Sequence, residues 1–238
     1  MLGFLGIGAQ KAGTTWLYEQ LRRHPAVAFR CGKEQHFWDR PYFPDDVAGY
    51  LQRFSARDRV EGDITPAYSI LARTTIADIY CALPDAKLVL ILRDPRDRAW
   101  SAALMALGRA DMTISEASDQ WFIDHFRSRG SLARGSYAEI IHNWQSVYPA
   151  EALLVLFFED LVAHPRGVLS SVAQHLGIDA NFHLQWSDDA LRRPVFAGSG
   201  EPIRNSLQPV LHELYRRRIM ALEEILGRSI HEWSGRYA

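Results

Sequence analysis

The chain's 238 residues suffice for one globular domain with a sizeable core, and 47% hydrophobic with 23% charged residues is an ordinary balance for one. A formal net charge of -1 at pH 7 excludes a global electrostatic drive toward nucleic acid or an anionic membrane, so any anion is held by local placement. The two cysteines, Cys31 and Cys81, form neither a metal-ligand spacing nor a disulfide framework and fit a reducing compartment, and no apolar run reaches the ~20 residues that span a bilayer.

Residues 1–8 are apolar but lack a basic leader and run straight into a turn, so they read as a buried strand over 2–8 rather than a signal peptide. The turn is Ala9-Gln10-Lys11-Ala12-Gly13, and a helix over 14–23 opens on Thr14 and Thr15. Leu17 and Leu21 form its apolar stripe, and His24-Pro25 ends it, because proline disfavours helical geometry in the residue before it. A helix start offers free backbone N–H groups and a partial positive charge. Small residues let the backbone close around an anion, and Lys11 adds a full charge, so the stretch reads as a phosphate-type cradle.

A short strand is expected over 26–29. Residues 31–39 have no clean helical period; if they are extended, Glu34 and His36 point to the same side. Residues 42–55 read as loop plus a short helix, packed down by Tyr42, Phe43, Tyr50 and Phe54. A strand over 60–64, a turn at Thr65-Pro66 and a helix over 69–82 follow. Residues 87–92 are one continuous apolar run, as expected of a central parallel strand covered on both faces. Arg93 comes next, with Asp94 suited to an N-cap and Pro95 to the first position of a helix over 95–107. The region 109–134 gives mixed signals, with a helix over 114–127 and then Gly130. A helix over 136–147, a second buried-type strand over 153–158, and helices over 165–176 and 207–226 complete the chain, with a loop at 198–202. Buried-type strands alternating with helices predict an α/β fold: a single domain over 1–238 with a central parallel β-sheet flanked by helices. Ligands of such folds sit at the C-terminal strand edge, where both the Lys11 turn and Arg93 fall.

The Lys11 turn is not a Walker A motif, because its lysine precedes Gly13 by two residues. It is not a dinucleotide fingerprint either, and no carboxylate is arranged as an obvious magnesium partner. Gln10-Lys11-Ala12-Gly13-Thr14-Thr15-Trp16-Leu17 resembles the 5′-phosphosulfate loop of the sulfotransferases that use 3′-phosphoadenosine 5′-phosphosulfate (PAPS). Leu92-Arg93-Asp94-Pro95-Arg96-Asp97-Arg98-Ala99-Trp100-Ser101 resembles their 3′-phosphate motif, an arginine at the strand end followed eight residues later by a serine. An arginine fork plus a hydroxyl independently suits a terminal phosphate. Lys33-Glu34-Gln35-His36-Phe37-Trp38-Asp39 resembles a stretch of the glycosaminoglycan-type branch and its bacterial relatives, in which the glutamate deprotonates the acceptor; a histidine does so in the small-molecule branch.

The resemblance implies a P-loop NTPase-like sulfotransferase fold, with PAPS as co-substrate, adenosine 3′,5′-bisphosphate as product and no metal. It implies Lys11, Ala12, Gly13, Thr14 and Thr15 at the 5′-phosphosulfate, Trp16 at the adenine, and Arg93 and Ser101 at the 3′-phosphate. Glu34 or His36 is the base, and Lys11 stabilises the leaving group. Glu61-Gly62-Asp63-Ile64-Thr65-Pro66-Ala67-Tyr68 resembles a stretch beside the acceptor site, with Asp63 in place of the usual glutamate. Gly135-Ser136-Tyr137 resembles a further family stretch and puts Tyr137 near the adenine, offset by one residue from the usual tyrosine. The family closes its nucleotide site with a late Lys-Gly; here residues 196–204 hold Gly198, Ser199 and Arg204 but no Lys-Gly, leaving Arg204 as the substitute. The acceptor is a carbohydrate, lipid or small molecule, and the protein is expected to be soluble and cytoplasmic, with an oligomer left open. Two other readings are an ATP-dependent P-loop kinase and a non-catalytic nucleotide-binding module.

Overall fold

A computed structural model describes residues 2–56, 58–193, 195 and 200–235. In chain order the elements are β1 (Leu2–Gly8), α1 (Thr14–Leu21), β2 (Val27–Ala28), α2 (Pro44–Gln52), β3 (Val60–Ile64), α3 (Arg73–Ala82), β4 (Lys87–Leu92), α4 (Pro95–Arg109), α5 (Asp119–Arg127), α6 (Arg129–Gly135), α7 (Tyr137–Gln145), β5 (Leu153–Phe157), α8 (Phe158–Ala163), α9 (Pro165–Leu176), α10 (Asp188–Arg192), α11 (Gln208–Leu226) and α12 (His231–Ser234). The chain divides into two compact units, Met1–Leu92 with Asn143–Phe196, and Arg93–His142 with Ala197–Ala238.

The first unit carries the sheet, five parallel strands in the order β2-β3-β1-β4-β5. A parallel sheet hides both faces, and the sequence shows it: Phe4, Leu5 and Ile7 of β1 and Leu88, Leu90 and Leu92 of β4 are fully buried. α9 packs on β4 and β5, and a Gly177 in the left-handed conformation ends it (φ 67°). Because all strands run the same way, the turns that follow β1 and β3 leave the sheet at one edge. Phe4 pairs with Gly62 across β1 and β3, and its ring fills the space a side chain on Gly62 would need.

The second unit is helical. α4 packs against α5, α6 and α11, around Trp100, Phe122, Phe126, Tyr215 and Trp233. Asp94 caps α4, accepting from the Arg96 N–H at 3.0 Å, and its carboxylate holds the Arg96 guanidinium as a buried fork with contacts of 2.9 and 2.6 Å. Arg96 also donates to the Trp233 carbonyl. A buried arginine held by two partners is satisfied in the way burial of charge requires.

Several elements depart from their sequence-based bounds. The helix expected over 69–82 is split into a 3-10 turn at Pro66–Ile70 and α3, with Leu71 extended between them (ψ 150°). Side chains cause this: Tyr68 bonds back to Asp63, and the Ser69 hydroxyl donates to the Pro66 carbonyl. α5 starts at Asp119 because Ser118 caps it, accepting from the Trp121 N–H. Ser128 likewise caps α6, which runs through Gly130. The short helices α6, α8, α10 and α12 had no clear sequence signal. No helix among the described residues is long and apolar enough to cross a membrane.

A Cβ on Gly62 would stand 2.1 Å from the tip of the Phe4 ring, in a buried strand pair with no room to yield. Gly62→Ala is expected to destabilise the fold by about 1–3 kcal/mol, read as a lower urea midpoint. An unchanged midpoint would contradict this packing.

Candidate active site

The cradle forms where β1 runs out. The Ala9 N–H donates to the Ile91 carbonyl of β4 at 2.8 Å, and Ala12 N–H returns to Ala9 O at 3.2 Å, closing a tight turn. Lys11 at its apex is left-handed (φ 70°), and so is Gly13 at the N-cap of α1 (φ 88°). No side-chain hydrogen bond caps α1 and no acid stands in its first turn, so its leading N–H groups are suited to an anion. The turn lies close against α8: a Cβ on Gly13 would fall 2.9 Å from Leu161 Cδ2 and 3.1 Å from Phe158 Cδ2. Thr14 is buried and Thr15 half-buried. Trp16 is buried, and its indole N–H donates to the Leu191 carbonyl of α10 at 2.7 Å, which commits its polar edge within the fold.

Residues 31–39 form no strand. Glu34 (φ 62°) and His36 (φ 52°) are both left-handed, so the alternation expected of an extended chain does not apply. Backbone bonds to neighbouring segments override it: Glu34 N–H donates to Ile64 O at the end of β3 (3.1 Å), and Phe37 N–H donates to the Tyr68 hydroxyl (3.1 Å). The resulting turn gathers four ionisable groups. The Lys33 ammonium binds Glu34 Oε1, His36 Nε2 stands 3.5 Å from Glu34 Oε2, and His36 Nδ1 is 2.8 Å from Asp39 Oδ2. The His36 ring thus has Asp39 at hydrogen-bond distance on one nitrogen and Glu34 facing the other. Asp39, three residues after His36 in the same motif, is the partner of its Nδ1, and the i, i+3 spacing of the two is the one sequence signal for the pair. Partial burial pushes the Glu34 carboxyl up, but the hydrogen bonds and charges of Lys33 and His36 outweigh it and hold it below the usual carboxylate range.

The remaining candidates lie in the second unit. Arg93 is half-buried directly after β4, and Ser101 is half-buried on α4. Tyr137 is buried, with its hydroxyl donating to the Arg93 carbonyl at 2.7 Å; burial pushes this phenol well above its ordinary value, so it stays a donor. The Arg204 guanidinium pairs with Asp119, donates to the Ala117 carbonyl at 3.0 Å and lies 4.8 Å over the Phe122 ring. Of the late segment expected to close a nucleotide site, Phe196, Ala197, Gly198 and Ser199 lie outside the described residues.

A central parallel sheet whose first strand turns through small residues and a lysine into an uncapped helix defines the P-loop-like class of α/β proteins. Within that class the chain belongs to the sulfotransferase domain family, whose model matches residues 4–196. It is 28% identical to mouse heparan sulfate glucosamine 3-O-sulfotransferase 3B1 over 97% of its own length, and 32% identical to the human 3B1 protein over 72%. It spans 62% of the mouse protein and 45% of the human one. Among solved structures, a sulfotransferase from Alicyclobacillus acidocaldarius superposes with a TM-score of 0.74 at 24% identity, covering 98% of each chain. A mouse sulfotransferase complexed with PAP superposes at 0.58 and 16% identity, over 95% of this chain and 88% of the other. At these identities the structural likeness is one of fold.

The Lys33 contact favours the charged form of Glu34, so it lowers the carboxyl pKa, and its removal lets the proton stay bound to higher pH. In Lys33→Met the Glu34 pKa, read by NMR of a 13C-labelled carboxyl, is expected to rise toward the ordinary glutamate value. An unshifted titration would show that the pair does not form in solution.

Proposed function

We propose that this chain transfers a sulfuryl group in line from PAPS to a hydroxyl or amine of its acceptor, leaving adenosine 3′,5′-bisphosphate. One observation carries the reading beyond family membership. Among the described residues four non-glycine positions have left-handed backbone, and three of them are Lys11, Glu34 and His36. Such backbone costs of order 1–3 kcal/mol per residue and persists where it places a side chain for chemistry. The turns that bear them leave the same sheet edge, beside the neighbouring strands β1 and β3.

The uncapped start of α1 fits an anionic donor: its N–H groups and the Thr14 and Thr15 hydroxyls are assigned the 5′-phosphate, with Ala12 and Gly13 allowing close approach. Lys11 neutralises charge that builds on the bridging oxygen as the bisphosphate departs. Glu34, held ionised by Lys33 and His36, accepts the acceptor's proton; His36, oriented by Asp39, is the alternative base. Arg93 and Ser101 carry the motif assigned to the 3′-phosphate. Trp16 is assigned to the adenine through its ring face, since stacking does not use the indole N–H that Leu191 accepts; Tyr137, anchored to the Arg93 carbonyl, is assigned near the adenine, and Arg204, paired with Asp119, to the closing segment. As in phosphoryl transfer, the protein contributes position and charge and forms no covalent intermediate. The names of the curated relatives specify heparan sulfate glucosamine, which favours a carbohydrate acceptor over a lipid or another small molecule.

The test is a labelled-PAPS assay across sugar, phenol, lipid and peptide acceptors. Transfer to a sugar is expected; magnesium-dependent ATP turnover without transfer would replace this reading with a kinase. Lys11→Ala is expected to lower kcat roughly 10²–10³-fold, and Glu34→Gln about 10²–10⁴-fold with adenosine 3′,5′-bisphosphate binding retained. Damage from His36→Ala alone would move the base to His36. Arg93→Ala is expected to weaken adenosine 3′,5′-bisphosphate much more than AMP; equal weakening would remove the 3′-phosphate role.

A further inference from the structure

Asp63 is a fully buried carboxylate that the reaction does not use. It accepts from three hydroxyls: Thr65 Oγ1 at 2.6 Å on Oδ1, and Tyr50 at 2.7 Å and Tyr68 at 2.9 Å on Oδ2. Burial and the adjacent Asp63 charge push both phenols well above their ordinary value, so both remain donors.

Two of these donors reach the turn that carries Glu34 and His36. The Tyr68 oxygen accepts the Phe37 N–H at 3.1 Å while its hydrogen goes to Asp63. The Tyr50 ring stacks on the Phe37 ring, with centroids 4.3 Å apart and planes 9° from parallel. The same segment also touches the other half of the site. A Cβ on Gly8, where β1 ends and the cradle begins, would fall 2.8 Å from Ser69 Cβ and 3.3 Å from the Pro66 carbonyl. The Asp63–Ser69 stretch is thus in contact with the base turn through Tyr68 and with the cradle through Ser69. Asp63 also pairs with Leu5 in the register of β3 on β1, which fixes the hub to the strand that feeds the cradle.

We infer that Asp63 and Tyr68 are positioning residues: through the Phe37 N–H they hold the Glu34–His36 turn in its left-handed form and at a set distance from the Lys11 cradle. The inference rests on the proposed role of Glu34 or His36 as the base. It also accounts for Asp63 at a position where the resemblance expects a glutamate. The longer side chain carries its carboxylate one methylene further, whereas Asp63 reaches all three hydroxyls from the strand.

Tyr68→Phe removes one hydroxyl and keeps the buried ring. The expected result has three parts: kcat falls at least ~10-fold, as sub-ångström to ångström misplacement of a reacting group does; the Kd for adenosine 3′,5′-bisphosphate stays at the wild-type value; and amide hydrogen exchange quickens at Glu34 and Phe37 while β1 amides stay protected. Asp63→Asn is expected to do the same more strongly, because an amide cannot accept all three hydroxyls; if it does not fold, Tyr68→Phe still decides the matter. Unchanged exchange at Phe37, or quickened exchange with wild-type kcat, overturns the inference. Failure of the base assignment itself reads differently, as wild-type kcat in both Glu34→Gln and His36→Ala.

Discussion

A carboxylate taken out of water is tolerable only when its lone pairs are met by donors. Asp63 imposes that condition at the end of β3, and the surrounding chain is arranged to meet it. Thr65 supplies one hydroxyl from the turn that leaves the strand, Tyr68 a second from the 3-10 segment, and Tyr50 a third from α2. Three separate pieces of backbone are drawn to one point. Once Tyr68 is fixed there, its oxygen is the acceptor for Phe37 N–H, and the turn before Phe37 has few conformations left. The 3-10 turn at Pro66–Ile70, which precedes α3, contains Tyr68 and is tied by it to the same carboxylate.

The two anionic demands of the reaction are met by different physics. The cradle offers backbone N–H groups, a helix start without acid and one lysine, all favouring an incoming anion. The base turn starts with its own anion and keeps it: Lys33 and His36 hold Glu34 charged, and Asp39 in turn holds His36. A carboxylate below its usual range is a weak base for a neutral hydroxyl. In a loose, in-line transfer that weakness costs little, because the hydroxyl becomes acidic only as its bond to sulfur forms. For the proposed role Glu34 needs to be ionised more than it needs to be strongly basic, and the Lys33 and His36 contacts favour its ionised form.

What was legible in the sequence were features with a local cause. Apolar runs without alternation gave β1 and β4, Asp94-Pro95 gave the start of α4, and small residues before two threonines gave the turn into α1. What was not legible depends on partners distant in sequence. Nothing local announces left-handed backbone at Glu34 and His36; it follows from bonds to Ile64 and Tyr68, about thirty residues on. The bond from the Trp16 indole N–H to the Leu191 carbonyl joins residues 175 apart, and no local signal announces it. The contacts of Arg204 with Asp119 and the Phe122 ring, which tie it to α5, are likewise distant in sequence. Gly130 is the second residue of α6, which Ser128 caps, so the break falls at Ser128, directly after α5 ends at Arg127.

A glycine would relieve the left-handed strain at Lys11, Glu34 and His36, since it adopts such backbone without penalty. The chain does use glycine where only geometry is at stake, at Gly13, Gly32 and Gly177. At the three strained positions it places an ammonium, a carboxylate and an imidazole instead. Local conformational preference and side-chain chemistry conflict there, and a sequence consistent at every other level loses that consistency where a reactive group must stand at a fixed point. The strain must be offset by neighbours, and the neighbours differ: the turn to Ala9 and the bond to Ile91 on the cradle side, the Asp63 hub on the other. The two sets meet along β1, β3 and the 3-10 segment between Thr65 and Leu71, so under the proposed roles the spacing of donor and base depends on that short stretch of buried chain.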